Sequence, residues 1–300
     1  MHKLKLLRIH HMHFPAALAA LLFCLFISLA QASTDKSRGL LWELSKPGIP
    51  ASYLFGTLHS EDPDVVQLAA PVQKVFDAAQ AVVIEVLFDM EAMRLSSTAM
   101  LMMDGRSLKD IVGESLFAEA AAAMQVRGMP EMLTMHMQPW AVAVSLSTPV
   151  PETGQVLDMV LYQQALQLGK PVYGLETIQE QLGVFTTMPL GDQVMLLRNA
   201  VEHFHEIDAL YAELLTAWKQ RDLARLVEIN EAELADGGEQ FAADFQKRLV
   251  VHRNRLMAER MQPYLKQGGA FIAVGALHLP GVTGLLTLLE QGGYTVSLVY

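Results

Sequence analysis

Two short apolar runs, near opposite ends of the chain, break off in the same way. Tyr53-Leu54-Phe55-Gly56 leads into Thr57-Leu58-His59, and Phe271-Ile272-Ala273-Val274-Gly275 leads into Ala276-Leu277-His278, more than two hundred residues later. Runs of this length and content read as buried strands, and each is followed by a proline, Pro63 or Pro280, ahead of a helical pattern. Further strand candidates are "AVVIEV" at 81–86, "KPVYGLE" at 170–176 and "YTVSLVY" at 294–300. "LLWELSK" and "ASYLFGTLH" flank Pro47-Gly48-Ile49-Pro50, the punctuation of a hairpin. Helical periodicity fills the remainder: Val65 to Ala79, about 90–168 with interruptions at Gly105, Gly113, Gly128-Met129-Pro130 and Ser147 to Gly154, and about 178–266 with breaks near Pro189-Leu190-Gly191 and Asp236-Gly237-Gly238. The expected fold is α/β (α+β): a central mixed sheet built from strands near both ends, with large helical insertions between them.

The first 32 residues read as a leader and the rest, 33–300, as a single domain. Lys3, Lys5 and Arg8 precede an apolar stretch from Phe14 to Leu29 and then Ala30-Gln31-Ala32, the order of a secretory signal with its cleavage site. The stretch is shorter than the roughly 20 residues of a membrane span; retention as an anchor is the alternative. Cleavage would remove Cys24, the one cysteine, leaving neither disulfide nor thiol nucleophile. It would also leave 19 basic residues against 32 acidic ones, a balance that argues against nucleic-acid partners. No later segment is long enough to span a bilayer, so the expectation is an exported product, periplasmic or secreted, with its oligomeric state open.

A random chain with 20 glycines and 10 histidines contains about 0.7 G-x-x-H matches by chance counting, so the spacing alone decides little. The context adds more, because open α/β sheets place ligands beyond the carboxyl ends of their strands. If the two strands are neighbours, His59 and His278 converge on one metal ion, with Glu85 as the best-placed carboxylate and a position left for water. The plainer reading of each histidine is a hydrogen-bonded strand-end residue. Glu176 is a base, a supporting carboxylate or a helix N-terminal residue beside the cap Thr177. Arg253 and Asn254 lie on a helix, where Arg253 clamps a substrate carboxylate, polarises a carbonyl or forms a surface salt bridge. His203 and His205 in "EHFHE" are two apart and face different ways. Ten of the 17 methionines fall between Met90 and Met137, which suits adaptable apolar packing or a substrate-facing lid. No G-x-S-x-G, H-E-x-x-H or phosphate loop is present.

"YLFGTLHS", "VVIEV", "LDMVLYQQALQLGKPVYGLETIQEQL", "VVHRNRLMAERM" and "AFIAVGALHLPGVTGLLTLLEQGGYTV", in this order and spacing, resemble the TraB/GumN family (TraB/PrgY/GumN), which includes the Tiki metalloproteases. The resemblance implies a fold of the erythromycin-esterase and ChaN-like group and, for the Tiki branch, a peptidase dependent on manganese or cobalt; zinc is a further candidate. It implies His59 and His278 as metal ligands, Glu85 as the early strand-end glutamate, and Arg253-Asn254 as an active-site pair. The expected activity is that of an exported metal-dependent hydrolase acting on a peptide or protein. The alternatives are a non-catalytic protein that sequesters a peptide or serves polysaccharide production, and an esterase.

Overall fold

The computed structural model describes residues 36–300; the expected leader, its cleavage site and Cys24 lie outside them. Six strands form one sheet: β1 (Leu41–Lys46), β2 (Ile49–Thr57), β3 (Ala81–Ile84), β4 (Val172–Gly174), β5 (Ala270–Gly275) and β6 (Thr295–Leu298), in the spatial order β4-β3-β5-β2-β1-β6. β2, β5, β3 and β4 run parallel, while β1 is antiparallel to both β2 and β6. The sheet is therefore mixed, as the sequence predicts, and the two apolar runs that end in G-x-x-H are adjacent. β1 and β2 form the expected hairpin, with Lys46 paired to Ile49 and Gly48 at φ 78° in the turn, a backbone state that glycine adopts at little cost.

Burial accounts for the composition of the strands. Phe271, Ile272, Ala273 and Val274 of β5 are all fully buried, because helices cover both faces of a central parallel strand. The ring of Phe271 packs edge-on against Phe76 at 5.2 Å and in a tilted contact with Phe55 of β2 at 5.8 Å. A second apolar cluster, including Leu108, Phe117, Trp140, Leu146 and Leu197, lies wholly within the helical insertion. The methionine-rich stretch divides between the two environments: Met102, Met124 and Met137 are buried, whereas Met90, Met93, Met103 and Met132 are exposed.

The helical breaks expected at Gly105, Gly113, Gly128 to Pro130 and Ser147 to Gly154 all fall between helices. The single helix expected from Val65 to Ala79 is instead two, Pro63–Val66 and Ala70–Ala78. Pro71 lies in the first turn of the second, and in a continuous helix its ring would collide with the carbonyl four residues back. Two further reversals, at His203 to Glu206 and at Gln220 to Asp222, interrupt the 178–266 region. At the second, Arg221 takes φ 58°; its carbonyl accepts the Gly39 N–H at 2.8 Å and its guanidinium lies 4.3 Å from the Tyr300 ring, so tertiary contacts override local preference. Among the described residues no helix is long and apolar enough to cross a membrane.

Candidate active site

Because β2, β5, β3 and β4 are parallel, their carboxyl ends share one edge of the sheet. Thr57 pairs with Gly275, and Ile84 with both Ala273 and Gly174. His59, His278, Glu85 and Glu176 follow these four ends directly. The two glycines of the G-x-x-H motifs make the edge close-packed. A Cβ on Gly56 would stand 2.7 Å from Leu279 Cδ1 and 3.1 Å from Ala276 Cα, so this glycine admits the short 3-10 turn Ala276–His278 of the other motif. Gly275 donates its N–H to Glu85 Oε1 at 2.7 Å.

Asn254 sets the state of His278. Its amide nitrogen donates to the carbonyls of His278, at 3.2 Å, and Thr283, at 2.9 Å. Its Oδ1 is therefore the acceptor that faces His278 Nδ1 at 2.6 Å, and Nδ1 carries the proton. Burial pulls the His278 pKa down to about 4, so the ring is neutral near pH 7 and Nε2 is a bare lone pair. That lone pair faces Glu85 Oε1 at 3.7 Å.

Glu85 is itself held from three sides. Besides Gly275, Arg253 Nη2 donates to Oε2 at 2.7 Å and Gln181 Nε2 at 3.0 Å. Burial opposes its ionisation, while the Arg253 cation and the Gly275 N–H favour the carboxylate form. Arg253 also grips Glu176, through Nε at 2.9 Å to Oε1 and through Nη2 at 2.6 Å to Oε2. Arg253 is 11% exposed and the Glu176 side chain 1%, so this is a buried pair and not the surface salt bridge that the sequence allows. Burial raises the Glu176 pKa, and Arg253 only partly offsets it. Both Glu176 oxygens are occupied, which suits a residue that positions Arg253 better than a base. Thr177 does cap the helix Ile178–Thr186, reciprocally with Glu180. A π-helical turn, Lys247–Val251, immediately precedes the helix carrying Arg253 and Asn254; such turns insert a residue and redirect the side chains that follow.

His59 differs from His278: its side chain is 70% exposed. Asp158 Oδ2 lies 3.7 Å from its Nδ1, an ion-pair contact and not a hydrogen bond, and the Asp158 carboxylate holds the His59 pKa above its usual value. Asp158 Oδ1 accepts the Thr57 hydroxyl at 2.8 Å. Two residues beyond His59, the Glu61 carboxylate accepts backbone N–H groups of Glu152, Thr153 and Gly154, tying down the loop that leads to Asp158. A cleft of about 440 Å³ opens on this edge, lined by His59, Glu85, Asp158, Gln181 and Gly275, among others. Asp158, Gln181 and Glu61 are absent from the sequence-predicted set. Asp158 and Gln181 sit in otherwise ordinary helical first turns, and only the strand order brings them to the site.

The donors suit a divalent ion in chemical type: a neutral imidazole nitrogen and a carboxylate oxygen face each other with no proton between them. Two donors each about 2.1 Å from a tetrahedral ion stand roughly 3.4 Å apart, near the 3.7 Å observed. The three expected ligands nevertheless resolve into two pairs, His278 with Glu85 and His59 with Asp158. Among the described residues no three His, Cys, Asp or Glu side chains are gathered to hold a metal. His203 of "EHFHE" pairs with Asp236 at 3.3 Å, outside this edge.

A cleft lined by His59, Glu85 and Asp158 at the carboxyl ends of parallel strands is the place where sheets of the open α/β class commonly take ligands. The chain belongs to the TraB/PrgY/gumN family, whose match spans residues 40–298. It is 24% identical over 254 residues to the uncharacterized protein YbaP of Shigella flexneri, with 83% of this chain and 91% of YbaP covered. It is also similar to two zebrafish (Danio rerio) proteins, Metalloprotease TIKI1, at 22% identity over 313 residues, and Metalloprotease TIKI2, at 24% over 326 residues. These alignments cover 86% and 88% of this chain and 62% of each relative. No solved structure matches the chain.

Proposed function

We propose that this chain is an exported metal-dependent hydrolase that cleaves peptide bonds with a metal-activated water. The observation that carries the reading is the bare Nε2 of His278 opposite Glu85 Oε1, two electron-pair donors that a cation would reconcile. Similarity to the two metalloproteases supports the reaction class, and the basic-apolar leader with Ala30-Gln31-Ala32 supports export. His278 Nε2 and Glu85 Oε1 would hold the ion, with His59 as the imidazole that lines the cleft beside Glu85. A bound divalent ion lowers the pKa of water and polarises a scissile carbonyl; manganese or cobalt is favoured, and zinc is the third candidate. Asn254 keeps the His278 lone pair free. Glu176 holds Arg253, and Arg253 with Gln181 orients Glu85. A second reading, peptide binding without cleavage, draws on the same cleft and on the division of its donors into two pairs.

Titration of the purified protein with manganese, cobalt and zinc by calorimetry, beside a peptide- and ester-cleavage assay, tests the proposal. Wild type should bind one of the ions and cleave peptide. His59→Ala and His278→Ala should each lose more than the roughly 10–100-fold typical of a change in a ligand's supporting partner. Failure of wild type to bind any of the three ions would end the enzymatic reading.

A further inference from the structure

The cleft is lined by two kinds of side chain. One is polar: His59, Asp158, Glu85 and Gln181, with Ser96 and Ser97. The other is an apolar wall formed by Leu87 and Phe88, shortly after β3, by Ala92 and Met93 of the helix Met90–Ala99, and by Ile178. Phe88 is braced by Tyr162 at 5.9 Å between ring centroids, which fixes the back of this wall. Its solvent side is Met93, 58% exposed. Unbranched methionines on an exposed helix face adapt to apolar groups of different shape. Asp158 and Glu85 are already paired with His59 and Arg253, and Arg253 is committed to two carboxylates. An acidic side chain against the apolar wall would lose its hydration without gaining a partner.

We propose that this wall is a binding subsite for a large apolar side chain of an extended peptide, the residue next to the bond presented to His59 and Glu85, with Met93 as its adjustable edge. The proposal rests on the reading of the cleft as a peptide site and names its substrate class. A volume of about 440 Å³ lies in the range of small-ligand pockets, so it admits a short stretch of chain and not a folded domain. The occupant is therefore an unstructured segment or a free peptide.

The test uses short peptides identical except for one residue, Leu, Phe, Lys or Asp. Binding is measured by calorimetry in chelator, where no metal-dependent cleavage occurs, and cleavage as kcat/KM with manganese, cobalt or zinc added. Wild type should favour Leu and Phe over Asp at least about 10-fold in binding. Met93→Glu should reduce that preference about 10-fold, and Met93→Leu should retain it. Met93 is exposed, so both variants should melt as wild type does. Equal binding of the Leu and Asp peptides, or a preference unmoved by Met93→Glu, would overturn the subsite. Preferential binding without cleavage would leave the subsite standing and remove the hydrolase reading. Cleavage blind to the varied residue would do the reverse.

Discussion

Asn254 and His278 are ordinary residue types whose meaning depends on four atoms. Asn254 spends both donor hydrogens on backbone carbonyls, and this orients its oxygen toward His278 Nδ1. In Asn254→Ala the imidazole loses that acceptor and two buried carbonyls lose their donor. We expect a loss of roughly 1–3 kcal/mol in chemical denaturation and a 10–100-fold weaker metal affinity by calorimetry. The buried histidine also sets a pH dependence in metal-free protein. An unfolded histidine takes up a proton near 6.5, the folded His278 only near 4. In that interval the unfolded state holds more protons, so stability declines as pH falls from about 6.5 to about 4. Glu176, with its raised pKa, acts in the opposite sense. The difference between wild type and His278→Gln is therefore the readout, and melting in chelator should show it shrinking from neutral pH to pH 4. At this scale the sequence makes His59, His278, Glu85 and Glu176 visible because each follows a strand-like run, and Arg253 and Asn254 through the family resemblance of their helix. Asp158, Gln181 and Glu61 carry no such signal, and their contacts come from chain segments about a hundred residues away.

Among the elements, glycines separate two physical cases. At Gly56 a Cβ would press on Ala276 Cα at 3.1 Å and Leu279 at 2.7 Å. The leucine tip can move, but the backbone of the second G-x-x-H turn cannot do so freely. Gly56→Ala should cost about 1–3 kcal/mol and disturb metal binding with it. Gly183, inside the helix Ile178–Thr186, has nothing within 4 Å of its would-be Cβ. Gly183→Ala should stabilise by about 0.5–1 kcal/mol, measurable as a higher denaturation midpoint at unchanged slope. The same contrast governs how much of the element order is readable. Glycine and proline punctuation marks most helix ends in the 90–168 region. The reversal at Arg221 has no such mark, because a bond from Gly39 and a ring from Tyr300 hold it.

For the whole molecule, the separation of the sheet core from the helical cluster predicts unequal local stability. Amides of Glu114–Val126 and Pro139–Leu146 should exchange through openings of lower free energy than those of β2 and β5. Native-state hydrogen exchange with matching free energies in both regions would contradict this. The α/β class was legible because short β-branched runs bounded by glycine and proline alternate with long stretches of helical periodicity. The strand order was not, since periodicity is silent about which strand lies beside which.

That order has a consequence for how the chain comes into being. β5 is wedged between β2 and β3, yet it is made more than two hundred residues after β2. Until a ribosome has released Ala270–Gly275, the hairpin and the β3–β4 pair are two fragments with unpaired inner edges, open to mispairing with other nascent chains. Closure is then a late, long-range event that places this fold among the slow ones. The same insertion delivers Gly275, which lines the cleft and donates to Glu85, so a chain that stops short of β5 lacks one wall of it.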